Sequence, residues 1–579
     1  MIGNAELSRE RAGRSPFASR LQAISSGQVL CTLLLVLIAV ISVYPMIQIV
    51  LQSFQVSRPG EDVRWALDGW QSVLNDKSLQ TAAWNTVTVS FTRQAIAMVV
   101  AVTIAWILAR TDIPGGHVFE FLFWIAFFFP ALTVTLGWVF LLDPRFGVIN
   151  QFLANTGLTA RGIGPFNIFS FWGIVWAHLA GTSIAIRVML LTPVFRNMNS
   201  SFEEASRVAG ASSFKTITKI FVPIMLPAIV AVEFLALLRS LEAFEIEQIL
   251  GAPIRFFVAS TWIYDNLAQV RPRFDSVAAL AVVMIGVGLS FVALQRAIVG
   301  NRRYTTITGQ FQGNVVKLGR MRWVAFAFLC LVCFIIVVVP IFSASLATFM
   351  KKFGFFTVDP WTLNNWNTAF NDKLLIRALQ NTLILATSTA IGSLILFSVV
   401  AYVITRTKFW GRSYLDYFSW LPFTVPGLLL SVALLTMFLQ PVARPLYGTM
   451  FTLVFSIMIS TMPFAVQNMK GAFGQLSQEL EEASFITGGT WWHTYRRIVL
   501  PLISPTLVVI GIISFISAGR NISQVALLSN SAIRPLSIMQ LDYISEGKYE
   551  VAAVIATILL LMSLGLALLA RRFGYKGVS

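Results

Sequence analysis

Charge is what this chain has least of. Only 12% of its 579 residues are charged, against 56% hydrophobic, and the mean hydropathy is +0.74. That balance excludes an ordinary soluble globular protein. Cysteine is nearly absent: Cys31, Cys330 and Cys333 all lie in apolar stretches, which excludes a disulfide scaffold. Cys330-Leu331-Val332-Cys333 has the spacing of a redox or metal pair, but without polar neighbours it reads as packing. His117, His178 and His493 are too scattered to form a metal cluster, so no metal site is expected. Acidic residues are fewer than basic ones, and the net charge is +17. In a soluble chain that excess would suggest nucleic acid, but no nucleic-acid-binding module is present. The phosphate-binding pattern G-x-x-x-x-G-K-[ST] is missing, and so is any arrangement of paired carboxylates or His for acid–base work. The chain is therefore not expected to be an enzyme or to hold a nucleotide itself.

What is present is a series of apolar runs long enough to cross a bilayer of roughly 30 Å. They predict an all-α polytopic membrane protein with about twelve helices, six in each half, near 27–53, 83–109, 117–142, 168–196, 220–241, 276–297, 322–349, 379–405, 413–439, 447–470, 498–519 and 549–570. Placing the N-terminus in the cytoplasm puts the Lys- and Arg-rich loops on the inside, as the positive-inside bias requires. Arg9, Arg11, Arg14 and Arg20 precede the first run, which reads as a retained first helix rather than a cleaved signal. Arg296, Arg302, Arg303, Lys317, Arg320 and Arg322 crowd the central linker, and Arg571, Arg572 and Lys576 follow the last run. The reading divides the chain into 1–297, a basic cytoplasmic linker 298–321, and 322–579.

The two halves repeat one another. Asn85-Thr86 parallels Asn381-Thr382, Arg110-Thr111 parallels Arg406-Thr407, Gly115 parallels Gly411, and Pro130 parallels Pro426, all at one offset. The offset changes after a longer outside loop from Asp143 to Phe169 in the first half. Repeats with an even number of helices enter the bilayer in the same direction, so an axis along the membrane normal should relate them, with any pathway between them.

Beyond that loop a second pattern occurs twice without a gap. Glu203-Glu204-Ala205-Ser206-Arg207-Val208-Ala209-Gly210 runs on to Ile220, Pro223 and Pro227. Glu481-Glu482-Ala483-Ser484-Phe485-Ile486-Thr487-Gly488 runs on to Ile498, Pro501 and Pro505. Glu203 to Ala209 favours helix, Gly210 can take a positive φ that ends it, and Ser212-Ser213 can cap the next. The pattern predicts two short helices joined at a Gly corner, exposed on the cytoplasmic side as a knob suited to a partner's groove. An amphipathic loop lying on the bilayer is the alternative, but interfacial anchoring does not require the same pattern twice.

Both copies resemble the E-A-A-x-x-x-G loop of the membrane subunits of ABC importers that work with a binding protein. Glu204 and Glu482 stand at the family's Glu, and Gly210 and Gly488 at its Gly; Ser206 and Ser484 replace its second Ala. The resemblance implies a type I ABC importer-like fold and a fused, double-length permease that rocks between outward- and inward-open states. Glu203, Glu204, Ala205 and Gly210, with Glu481, Glu482, Ala483 and Gly488, would form the coupling helices. Two copies of an ABC ATPase subunit would seat on them and bind ATP and Mg, leaving no cofactor in this chain. A periplasmic substrate-binding protein would deliver cargo at a bacterial inner membrane. An ion-coupled secondary transporter is the rival, and it would not be expected to carry the paired loops.

Charges at membrane depth are costly and are candidates for the pathway. The first half has Arg93, Arg187, Glu233 and Arg239, whose counterparts are the uncharged Thr389, Ala465, Gly511 and Ser517. Glu233 could pair with an arginine to lock helices or could line the pathway. One Glu cannot neutralise three arginines, so at least one Arg is expected to face water or substrate. Phe127, Phe128 and Phe129 before Pro130 read either as a hydrophobic gate or as packing against lipid. As to cargo, the double-length architecture looks most like the ferric-iron group, with thiamine permeases next. The intramembrane arginines point instead to an anion such as a phosphonate, sulfate or organic carboxylate.

Overall fold

The computed structural model describes residues 26–56, 62, 64–159, 164–198, 205–206, 208–269, 272–299, 315–356 and 359–574. Glu203 and Glu204, with Arg207, Arg302, Arg303, Lys576 and the N-terminal arginines, lie outside the described residues. Among the described residues the chain is helical, with isolated bridges but no named strand. Nine helices are long and apolar enough to span a membrane, and three bent pairs bring the number to twelve. Each expected run coincides with one of these.

The second span (Lys77–Arg110) and the eighth (Lys373–Arg406) show how closely the halves repeat. Each is a helix of 34 residues that begins after an aspartate cap. Asp76 accepts from the Ser78 and Leu79 amides at 2.9 and 3.4 Å, and Asp372 accepts from the Leu374 amide at 2.8 Å. Asp76 also takes the Ser78 hydroxyl, the main reason its carboxyl sits below its ordinary range; Arg273, 3.1 Å away, adds to this against the opposing effect of burial. At about 1.5 Å per residue such helices are far longer than the hydrocarbon core, so their Lys and Arg ends reach past it.

Three spans bend sharply, which the apolar pattern did not reveal. The third span is Gly116–Phe127 and Ala131–Leu142, meeting at 100°; the ninth is Arg412–Phe423 and Gly427–Leu439, meeting at 108°. Pro130 and Pro426 sit at the N-cap of the second piece of each. Proline has no N–H to continue the ladder and clashes with the preceding turn, so hydropathy runs through the segment while the helix does not. The eleventh span bends by 77° between Trp491–Leu502 and Ser504–Arg520, whereas its counterpart, the fifth span, is straight enough to pass as one helix, Thr218–Ser240. Widened π-turns at Ile217–Phe221 and Tyr495–Val499 occupy the same register, each ending two residues before a proline, Pro223 or Pro501.

Each half lends its first helix to the other. The first span (Ser26–Gln52) packs between the sixth (Phe274–Val299) and the ninth. There Leu35 and Ile38 join Phe397, Phe409 and Leu415 in one buried cluster. The seventh span (Met321–Ala347) packs between the third and the twelfth (Tyr549–Gly574). Gly137 permits that approach: a Cβ there would lie 3.2 Å from the Pro340 Cα. The largest core cluster therefore mixes residues of both halves, among them Phe123, Trp138, Val337, Leu429 and Ala556. The end of the linker is also tied down, with the Val316 amide donating to the Arg110 carbonyl at 2.8 Å beside Thr111.

Candidate functional site: two knobs and a buried charge network

The second knob is described throughout. Glu479–Ile486 forms a helix, Gly488 turns the chain at φ 86°, and Trp491–Thr494 starts the next helix behind a Thr490 cap. In the first knob Ala205, Ser206 and Val208 are helical, Gly210 turns at φ 79°, and Ser213–Thr216 begins the next helix. Open space surrounds both glycines, so it is the backbone conformation, not crowding, that calls for glycine. The same bond closes each corner: the Ser206 and Thr216 hydroxyls lie 2.8 Å apart, and so do those of Ser484 and Thr494. The departure from the family's second Ala thus has a structural reason, since a buried serine staples the two short helices together. Val208 and Ile486, in matching register, are 90% and 85% exposed at the tips. Glu482, Ala483 and Ala205 are exposed as well.

Glu481, in contrast, points inward and is buried. Its carboxylate accepts from the Tyr402 hydroxyl at 2.6 Å and faces Arg406 at 3.5 Å, both on the last turns of the eighth span. Tyr495, which stacks on Trp491, donates to the Ser398 hydroxyl at 2.8 Å on the same span. The knob is therefore bolted to a membrane helix, with one face left for a partner. Arg110, the counterpart of Arg406, is buried and donates to the Met198 carbonyl at 3.2 Å.

In the membrane, the structure gives every candidate arginine a carboxylate. Arg93 is buried, donates to the Ser240 carbonyl at 2.9 Å, and lies against His178 and against Glu247 at 3.5 Å. His178 in turn sits 2.7 Å from Glu247. Arg187 donates to Glu233 at 3.0 Å and to the Ser183 carbonyl at 2.7 Å, and it reaches Gln94. Arg239 meets Glu242 at 3.2 Å and covers the Phe423 ring of the other half at 4.7 Å. Arg239 is 46% exposed even so, and the carboxylates beyond Glu233 are Glu242 and Glu247, from the turn and short helix (Glu245–Gly251) that follow the fifth span. Removing one member of the fully buried Arg93–Glu247 pair strands the other, at a cost of about 3–5 kcal/mol. Phe128 and Phe129 are buried between helices rather than facing lipid. Sequence reasoning also passed over Arg520, at the end of the eleventh span. Applying the offset of the knobs would have found it, since it stands in the register of Glu242. No group of His, Cys, Asp or Glu that could hold a metal ion occurs among the described residues.

The family described as binding-protein-dependent transport system inner membrane component matches residues 394–574, which take in the second knob. The chain is 28% identical over 452 residues to the ferric transport system permease protein FbpB of Actinobacillus pleuropneumoniae, covering 76% of this chain and 63% of that protein. It is 25% identical over 523 residues to the probable ABC transporter permease protein y4fN of Sinorhizobium fredii, covering 87% of this chain and 90% of the relative. A solved bacterial ABC transporter involved in the import of the acidic polysaccharide alginate aligns with 44% of this chain and 96% of its own at 19% identity, with a TM-score of 0.37. Within a multi-pass membrane chain whose described residues are helical, residues 394–574 thus match the family of binding-protein-dependent transport system inner membrane components.

Proposed function

We propose that the chain supplies both membrane halves of an ATP-driven, binding-protein-dependent importer. The observation that carries the reading is the duplicated knob: the same glycine corner, serine–threonine staple and exposed apolar tip, in one register, on both halves. Two like surfaces fit two copies of one partner. An ABC ATPase subunit, binding ATP and Mg, would seat on each; Ala205, Gly210, Glu482, Ala483 and Gly488 shape the seat, and Glu203 and Glu204 are assigned to it by the sequence pattern alone. Glu481 acts from inside, passing the partner's movement to the eighth span through Tyr402 and Arg406. Closure of the ATPase pair then rocks the halves apart, and hydrolysis resets them. Both termini and both knobs lie in the cytoplasm of a bacterial inner membrane, and a periplasmic binding protein docks on the outer loops.

Ferric iron is the cargo we favour. It is named in the ferric transport permeases among the relatives, although the aligned stretch covers only 63% of the length of the first two. The pairing of Arg93, Arg187 and Arg239 with carboxylates removes the excess positive charge that had favoured an anion. Sulfate permeases are also among the relatives, which makes sulfate the competitor to test. The test is uptake into right-side-out membrane vesicles that hold the chain with its co-purifying partners, with ATP inside and the binding protein outside. ATP-dependent uptake of ferric iron, lost together with ATPase recovery in Glu482→Ala/Gly488→Pro, is the expected result. Uptake that follows an ion gradient without ATP would overturn the reading, and ATP-dependent uptake of sulfate alone would overturn the cargo.

A further inference from the structure

The two proline bends are each held by the other half, through residues of opposite charge at equivalent positions. At the first bend, the helix Gly116–Phe127 ends with carbonyls that have no successor in the ladder. Arg520 of the second half donates to the Phe127 carbonyl at 2.8 Å and to the Phe129 carbonyl at 3.4 Å, with its guanidinium 5.5 Å from the Phe127 ring. At the second bend, the helix Gly427–Leu439 begins with free amides. There the Glu242 carboxylate of the first half faces the Gly427 amide, while Arg239 pairs with Glu242 at 3.2 Å and lies 4.7 Å over the Phe423 ring just before the bend. A guanidinium thus meets a helix C-terminus and a carboxylate a helix N-terminus, the favourable sign in both cases. Glu242 and Arg520 are separated by the same offset as the two knobs. Glu245 lies near the same junction, where its carboxylate faces Ile522 and the Arg520 charge of the other half.

Broken helices inside a membrane leave backbone groups that must find partners. At the first bend the opposite half provides those partners through Arg520, so they are satisfied in this way only while the halves are together. If the halves part and water enters, water can take over the same bonds. That makes the contact reversible in a way that apolar packing in the same place would not be.

We propose that Glu242 and Arg520 are paired latches, each pinning the other half's bent span, that hold the pathway shut and are released when it opens. The inference rests on the transport reading above. The two are positioning residues: they hold backbone rather than cargo.

The test uses the full importer in membranes with Cys31→Ala, Cys330→Ala and Cys333→Ala, and a reporter at Ala567→Cys. Ala567 is fully buried against Phe128 and Ile516 beside the first bend. A membrane-impermeant maleimide is applied to each face in turn. Losing one charged hydrogen bond should raise the labelling rate about tenfold in Arg520→Gln and in Glu242→Gln, while Arg520→Lys, which keeps the donor, stays near the parent. If Arg520→Gln does not reach the membrane, Glu242→Gln decides. Labelling that changes by less than about twofold in the glutamine variants, with ATP-driven uptake retained, would overturn the latches. Failure of the unsubstituted importer to use ATP would instead overturn the transport reading, so the two failures are distinguishable.

Discussion

The halves of this chain are alike in their knobs and long second helices and unlike in the interiors of their helix bundles. The second and eighth spans share their length and aspartate cap, and the knobs share glycine corner, staple and exposed tip. The interiors diverge. Arg93, Arg187 and Glu233 form ion pairs in the first half, and Thr389, Ala465 and Gly511 replace them in the second. Gly511 lets the eleventh span approach the eighth closely, with a Cβ there only 3.1 Å from Leu394. At these equivalent positions one half holds its helices by charge, the other by close packing. Two identical partners would demand identical knobs, whereas a single pathway places no such demand on its walls.

The sharpest way to break the comparison is to neutralise the buried network on one side only. Glu247→Ala strands Arg93 beside His178 and should cost about 3–5 kcal/mol, seen as a large loss of thermal stability in detergent. Thr389→Val, at the equivalent of Arg93, should stay within about 0.5 kcal/mol, because the Thr389 hydroxyl has no hydrogen-bond partner. A smaller effect separates the knob from its bolt. Tyr402→Phe removes the hydroxyl that donates to Glu481 and should cost about 1.5–3 kcal/mol. It should lower uptake per ATP hydrolysed while leaving ATPase binding in place, which a pull-down and a coupled uptake assay would separate. Smallest of all, Ser206→Ala and Ser484→Ala should each cost about 1 kcal/mol, by the same amount in both copies. Unequal losses in unfolding would mean the knobs are not equivalent after all.

Much of the fold was legible because it rests on local properties. A run of some twenty apolar residues must be helical in a bilayer whatever surrounds it, since its backbone has no other way to satisfy its polar groups. The glycine corner of the knob was legible for the same kind of reason, a single residue's tolerance of positive φ. The bends at Pro130 and Pro426 were only half legible: the prolines were visible as a repeated pair, but proline in a membrane helix permits anything from a mild kink to a break. The role of Glu481 was not legible, because an exposed and a buried glutamate look the same in a helical pattern. The partner of Arg187, Glu233, lay within a span, but those of Arg93 and Arg239 lay just beyond one, in Glu247 and Glu242, where counting charges within apolar runs does not reach.

The sequence by itself determined the class of the protein, the number of its spans and the register in which its halves repeat, because periodicity and composition act over neighbouring residues. Tertiary structure alone decided that the first helix of each half crosses to the other, that Arg93 meets Glu247 and His178, and that Arg520 reaches the Phe127 carbonyl at the bend of the other half. Those outcomes depend on which orphaned backbone group or buried charge finds its complement across the bilayer interior. Such a choice is made between residues hundreds of positions apart, and in a low-dielectric medium leaving it unmade is too costly for the fold to tolerate.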